Sequence, residues 1–264
     1  MMQLFKATLY RMYKSTGVRI AVLFTYVAAI GYYVLGFMIA NGDMEAEMAG
    51  NVTALGDAMI IWLFGSLVVG VLVGGDFESK TIHGAIGYGR KAVVMNYVFV
   101  YMAMMVVLLL PYITGSIALI IAGVDMTGAE GTTVSIFMDN IIRCNGLSDG
   151  INVGKLILSY VSYTVVIIGQ LSILIIVAMK LRKAMPVTCV GFIFGMLTAL
   201  LALLASKVEI LDNIYKLTPY NYSISRLGMG ADISDMLRGI VVSLVFMAFC
   251  GEIGWLAFRK ADIK

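Results

Sequence analysis

Long apolar segments separated by short polar ones dominate this chain. A helix needs about 20 apolar residues to cross the hydrocarbon core of a bilayer, and six segments long enough to do so occur along the sequence. Backbone groups in lipid must be hydrogen-bonded within the protein, and the alternating pattern of a membrane barrel is missing. The pattern therefore predicts an all-α, polytopic membrane protein with one domain, residues 1–264. The predicted crossings are 18–40, 55–74, 93–124, 153–179, 187–206 and 236–258.

Residues 2–16, which precede the first crossing, follow a different pattern. Their apolar and basic side chains fall on opposite sides of a helical wheel, which is typical of a helix lying in the membrane interface. We therefore predict an amphipathic interfacial helix with its basic side toward the lipid headgroups. A simpler interpretation is a positive flank that only fixes orientation. The apolar side carries Met2, Phe5, Leu9, Met12 and Tyr13, and the polar side carries Gln3, Lys6, Tyr10, Arg11 and Lys14.

The composition and the charge distribution add an orientation. Hydrophobic residues make up 61% of the chain and charged residues 13%, against about 45–50% and about 25% in soluble domains. If both termini are cytoplasmic, thirteen of the 19 lysines and arginines lie in the cytoplasm, as the bias of basic residues toward cytoplasmic loops requires. These thirteen are Lys6, Arg11, Lys14, Arg19, Lys80, Arg90, Lys91, Lys180, Arg182, Lys183, Arg259, Lys260 and Lys264.

Two of the outer segments are expected to have structure of their own. Residues Thr132–Arg143 have apolar side chains at helical spacing, which predicts a small helix. The last outer segment contains Leu217-Thr-Pro-Tyr-Asn-Tyr222, which we expect to dip back toward the membrane.

A short polar turn, residues 76–92, interrupts the apolar pattern between the second and third crossings. A membrane protein with few charges has few places to contact a soluble partner, and this turn concentrates charge in one of them. We interpret it as a docking element for a cytoplasmic partner. Its charged residues and its histidine after Asp76 are Glu78, Lys80, His83, Arg90 and Lys91, spaced by Gly84, Gly87 and Gly89.

Two segments resemble catalytic motifs but lack a residue or a partner that each motif requires. Residues 74–81 resemble a phosphate-binding loop, but Ser79 stands where that loop needs glycine, and a membrane segment precedes it. Residues 146–150 have the spacing of a nucleophile elbow, but the only histidine, His83, is predicted on the opposite side of the membrane. We therefore expect no catalytic residue, no metal site, no cofactor in this chain and no nucleic-acid partner.

Glu252 is the most prominent charged residue within a predicted crossing, about two turns before the end of the last one. It is either a proton or cation site, or a structural carboxylate paired with a basic residue of an adjoining helix end. Its closeness in sequence to Arg259 and Lys260 favours the pairing. Four aromatic residues form a candidate substrate path, although packed or lipid-facing aromatic residues are more common. They are Trp62, Phe64, Phe192 and Phe194.

Several short motifs, in order along the chain, carry a family resemblance. Phe77-Glu78 with Thr81 and Gly84 follows the second crossing, and Gly89-Arg90-Lys91 precedes the third. Leu217-Thr-Pro219 precedes the last crossing, and the chain closes on residues 258–263, Phe-Arg-Lys-Ala-Asp-Ile. With six crossings and an amphipathic start, the chain resembles the permease subunit of a type-2 exporter of the ATP-binding-cassette (ABC) class. Within that class, the chain most resembles the group that exports antimicrobial and cytolytic peptides or confers immunity to them. Ile82-His83 departs from the small or apolar pair that is usual there.

The resemblance implies a mechanism and partners. The turn would contain the coupling helix, which seats in a groove of a separate cytoplasmic ATPase subunit that binds ATP and Mg. A second permease subunit, identical or paralogous, would complete the path for an amphipathic peptide across what would be a bacterial plasma membrane. The implied coupling residues are Glu78, Lys80, Thr81, Ile82, His83, Gly84, Tyr88, Gly89, Arg90 and Lys91.

Two other classes of function stay open. The first is a proton-coupled secondary transporter or channel that uses Glu252 as its coupling group. Such proteins often contain repeated halves with broken helices, and no repeat is evident here. The second is a membrane scaffold or sensor that transports nothing.

Overall fold

The computed structural model describes residues 2–43, 56–127, 135–145, 153–205, 207, 209–222 and 224–259. Across these ranges the regular structure is helical, and five helical stretches are long and apolar enough to cross a membrane. The all-α membrane architecture expected from the sequence is thus confirmed. The helices are α1 Met2–Lys14, α2 Thr16–Ala40, α3 Asp57–Glu78, α4 Ile82–Ile86, α5 Arg90–Ile121, α6 Ile136–Asn145, α7 Val153–Leu171, α8 Ile173–Leu181, α9 Ala184–Ala205, α10 Glu209–Lys216, α11 Ile224–Leu227 and α12 Ile233–Arg259.

The fifth predicted crossing, 187–206, corresponds to α9, Ala184–Ala205, which is not among the five long candidate spans found in the described residues. We expected this helix to begin after Pro186. It begins three residues earlier, at Ala184, because proline is tolerated in the first turn, where its missing N–H has no helical partner.

The second predicted crossing, 55–74, also differs at its end. Helix α3 continues to Glu78 through a π-helical turn at Gly70–Gly74. The first residues of the polar turn, Asp76–Glu78, are therefore helical.

The fourth predicted crossing, 153–179, is divided at Ser172 into α7 and α8. Carbonyl groups next to this break receive side-chain donors. Tyr101 Oη donates to the carbonyl of Ile168 at 2.6 Å, and Ser172 Oγ donates to that of Gly169 at 2.6 Å. The carbonyl groups of Ile168 and Gly169 are thus hydrogen-bonded within the protein, as apolar surroundings require.

The segment after α9 folds back into the bundle, as the sequence suggested. Tyr220 Oη donates to the Gln170 carbonyl at 2.6 Å, and Gln170 Nε2 donates to the Pro219 carbonyl at 3.1 Å. Gln170 lies roughly 25 Å along the helix axis from Val153, at 1.5 Å per residue.

The predicted small helix near Thr132–Arg143 is α6, whose Phe137 and Ile141 are buried. Helix α12 packs against α5, α7 and α8, while α3 packs against α2, α5 and α9.

Candidate functional site

The candidate site is the polar turn, residues 76–92, together with the helix ends that contact it. Its central residue is Asp76, which lies in the last turn of α3 and is 4% exposed. Arg11 of α1 binds both carboxylate oxygens, with Nη1 on Oδ1 and Nη2 on Oδ2, the latter at 2.8 Å. Tyr97 Oη of α5 donates to Oδ2 at 2.7 Å, and Thr81 Oγ1 donates to Oδ1 at 2.7 Å. One carboxylate therefore joins α1, α3, the turn and α5.

Glycines before Asp76 allow α9 to approach α3 closely. A side chain at Gly74 would place its Cβ 2.8 Å from Ala184 Cα, and one at Gly70 would place it 2.6 Å from the Ala184 carbonyl oxygen. These approaches bring the start of α9 against the π-helical turn, and the Ala184 N–H donates to Glu78 Oε1 at 3.3 Å. Glu78 thus accepts from a free amide at the N-terminus of α9, where a negative charge is favourable.

The turn itself presents a short exposed helix, α4. Lys80, His83 and Gly84 are exposed, and Tyr88 is 55% exposed. Ile82 is different, because it is 1% exposed and packs into the core below α4. Ile82 therefore anchors the helix, whereas its neighbours form the surface that a partner can reach.

The second half of the turn leads into α5. Gly89 has a φ of +94°, a conformation that residues with a Cβ rarely adopt. Arg90 follows and donates from Nη1 to the Arg259 carbonyl at 2.6 Å. Lys91 Nζ lies 3.5 Å from Glu252 Oε1. Arg90 and Lys91 thus contact α12, although both residues stay exposed.

Aromatic contacts join the end of α3 to two other helix ends. The rings of Phe77 and Phe258 pack edge to face with centroids 6.0 Å apart. The Arg182 guanidinium lies 5.6 Å from the Phe77 ring centroid, in cation–π range. The end of the bundle that contains α1, α4 and the C-terminal end of α12 is called the turn end below.

Helix α1 is attached to the site by polar contacts of Arg11 and Thr8, and Arg11 Nη1 also donates to Thr81 Oγ1 at 3.1 Å. Besides the Arg11–Asp76 pair, Asn96 Nδ2 of α5 donates to Thr8 Oγ1 at 2.9 Å. We expected Arg11 to point at lipid headgroups, and that was wrong: its guanidinium binds Asp76. Burial lowers the pKa of Arg11, but a guanidinium stays charged throughout the physiological range.

A cleft of about 370 Å³ separates α1 from α4, with Arg11, Asp76 and Tyr88 among its walls.

Glu252, the predicted intramembrane charge, lies outside the helix packing. Its side chain is 59% exposed and forms an ion pair with Lys91. The expected pairing with a basic residue of an adjoining helix end is therefore present, although the partner is Lys91 and not Arg259. Carboxylates that relay protons face a bundle interior or a water-filled cavity, whereas Glu252 lies on the exposed side of α12.

The structure places the four aromatic residues of the candidate substrate path in different contacts. Trp62 is 7% exposed and packs against Phe194, with centroids 6.0 Å apart. Phe64 stacks on Phe24 of α2 instead, at 6.1 Å, and Phe192 is half-buried on α9. Trp62 and Phe194 are thus brought together as packed core aromatics.

Sequence reasoning missed the two buried acids. Among the described residues these are Asp57 and Asp76, at 1% and 4% exposure. We treated Asp76 only as the start of the turn and assigned no role to Asp57, whereas Tyr163 Oη donates to Asp57 at the start of α3. An isolated acid within an apolar run was the available signal, since burying one requires a partner.

Comparisons with protein-family models, with curated proteins and with solved structures find no match to this chain. Part of one motif of the family resemblance, residues 260–263, lies outside the described residues. The family assignment is therefore a proposal.

Proposed function

We propose that this chain is the membrane-spanning subunit of an ATP-driven exporter of the type-2 ABC class. In this proposal both termini are cytoplasmic, α9 is one of six crossings, and the turn at residues 76–92 docks a separate ATPase subunit. The observation that carries the proposal is the Asp76 cluster. It attaches an exposed, charged helical turn to α1, α3 and α5 through one buried carboxylate.

A docking element that transmits motion needs an exposed surface and a stiff base. The exposed surface is α4 with Lys80, His83 and Tyr88. The base is the set of contacts from Asp76, Glu78 and Arg90 to four other helices. Displacement of α4 by a partner would move these helix ends together, which is how ATP binding in the partner would reach the translocation path.

The remaining parts of the proposal rest on the family resemblance. A second permease subunit, identical or paralogous, would complete the path, and the partner ATPases would bind ATP and Mg. The proposed substrate is an amphipathic peptide, and the proposed location is a bacterial plasma membrane.

The proton-coupled alternative, with Glu252 as its coupling group, is less well supported. A coupling carboxylate must change its protonation inside a closed path, whereas Glu252 is exposed and lies 3.5 Å from Lys91.

The docking role can be tested by placing negative charge on α4 and on the residues that lead into it. Arg90 and Lys91 are poor choices, because each contacts α12. We expect Lys80→Glu with His83→Glu to reduce ATPase co-purification and ATP-dependent transport, while membrane insertion and thermal unfolding stay unchanged. Lys207→Glu with Arg226→Glu is the matched control, since both residues are exposed and far from the turn in sequence. Equal co-purification of the two double variants would remove the docking role.

A further inference from the structure

A groove of about 440 Å³ runs along the surface between α5 and α12. Its walls are apolar over most of their length and include Met95, Phe99, Met102, Leu244 and Met247. Gly251 opens one wall, since a Cβ there would approach nothing closer than Val98 Cγ2 at 3.8 Å. The groove is open to the surroundings of the bundle, so a chain-like apolar ligand can enter it sideways.

The groove ends in charged groups at the turn end. Lys91 and Glu252 form the ion pair at 3.5 Å, and both side chains face outward, 60% and 59% exposed. The Trp255 ring lies beside them, with Lys91 Nζ 5.3 Å and the Arg259 guanidinium 5.9 Å from its centroid. Tryptophan is enriched where the headgroups of a bilayer begin, so this end of the groove lies at headgroup level.

The charges select the ligand. At headgroup level, polar lipid groups can solvate the exposed ion pair. A ligand that carries a phosphate and an ammonium group next to an acyl chain would satisfy both members of the pair. We propose that this groove binds an aminophospholipid, with an acyl chain along α5 and α12, the phosphate on Lys91 and Arg259, and the ammonium group on Glu252. This site does not depend on the proposed export function.

Other occupants fit the charges less well. An anionic lipid without an ammonium group would place its headgroup next to the Glu252 carboxylate. A choline lipid has a quaternary ammonium group with no N–H to donate to that carboxylate. A helix of a second protein copy would have to bury the Lys91–Glu252 pair, and burying charges is expensive even when they are paired.

Trp255 provides a direct probe, because the chain has two tryptophans. Trp62→Phe leaves Trp255 as the single emitter. The full chain would be reconstituted in phosphatidylcholine vesicles with increasing amounts of a lipid whose acyl chains are brominated and quench tryptophan at contact. We expect brominated phosphatidylethanolamine to bind at Trp255 at least about threefold more tightly than brominated phosphatidylcholine, as a charge-assisted hydrogen bond at a half-exposed site would give.

Variants of the charged end complete the test. Glu252→Gln should lower the affinity for phosphatidylethanolamine to that for phosphatidylcholine, and Lys91→Gln should weaken both. Lys183→Gln, an exposed lysine at the turn end but outside the groove, should change neither. Equal quenching by all brominated lipids in the parent protein would overturn the proposal. So would a preference for phosphatidylglycerol that survives Glu252→Gln, or an absence of quenching by any lipid, which is the result expected if a second protein copy covers the groove.

Discussion

Arg11 and Asp76 are 65 residues apart in the chain, and the guanidinium binds both oxygens of the carboxylate. The pair joins the first helix of the chain to the last turn of α3. Asp76 is almost completely buried, whereas the Arg11 side chain keeps 38% of its exposure. Two further donors, Tyr97 and Thr81, complete the surroundings of Asp76.

The first prediction concerns this pair. Arg11→Gln should destabilise the protein by roughly 3 kcal/mol, the lower end for a buried pair, because it leaves a buried charge without its counter-ion. Adding Asp76→Asn should recover part of that loss, since the double variant buries no charge. Thermal unfolding of the purified chain measures both. Lys14→Gln, an exposed position on α1, is the control and should stay within about 0.5 kcal/mol of the parent. A double variant less stable than Arg11→Gln would contradict the assigned role.

The second prediction concerns the contact between α3 and α9. Gly74→Ala places a methyl group against the backbone of Lys183 and Ala184, so it should destabilise the protein by about 1–3 kcal/mol through overpacking. Gly75→Ala is a matched control, because nothing lies within 4 Å of its Cβ position. There the loss of backbone freedom in the unfolded chain should stabilise the protein by about 0.4–1 kcal/mol. Denaturation of the two variants side by side gives both values, and similar values would argue against the close approach at Gly74.

A third prediction concerns nucleotide. The isolated chain should neither bind nor hydrolyse ATP, although residues 74–81 resemble a phosphate-binding loop. Residues Gly75–Glu78 are helical and so do not form a phosphate-binding loop. At this end of α3, Ser79 Oγ donates to the Gly75 carbonyl and the Ala184 N–H donates to Glu78. Equilibrium dialysis with labelled ATP checks this, and stoichiometric binding without a partner would be the contrary result.

The fourth prediction separates ATP-driven export from proton coupling. Glu252→Gln removes the charge and keeps the shape, and the exposed pair with Lys91 contributes at most about 1 kcal/mol. ATP-dependent transport into sealed vesicles should therefore persist in this variant. Transport driven by a pH gradient alone, and lost in Glu252→Gln, would instead establish the proton-coupled carrier.

The hydropathy pattern predicted the helical membrane architecture and the approximate positions of the five long apolar helices, because a run of about 20 apolar residues is a local property of the sequence. It did not predict the π-helical turn at Gly70–Gly74 or the break at Ser172, which depend on contacts with other helices. The position of the polar turn was also readable, since its charges stand out. The role of Asp76 was not, because its partners Arg11, Thr81 and Tyr97 come from separate elements that only the fold brings together.

The division of the fourth crossing at Ser172 has a consequence for how motion spreads. The part nearer the turn end, Ile173–Leu181, packs on α12 and on the π-helical turn, whereas Val153–Leu171 packs mainly on α12 and α5. Side-chain donors from Tyr101, Ser172 and Tyr220 already serve carbonyl groups next to the break. Both parts nevertheless pack chiefly on α12. In the proposed function, a partner that moved the turn end would therefore move α12 and both parts of this crossing together, with Ser172 keeping a helical backbone between them.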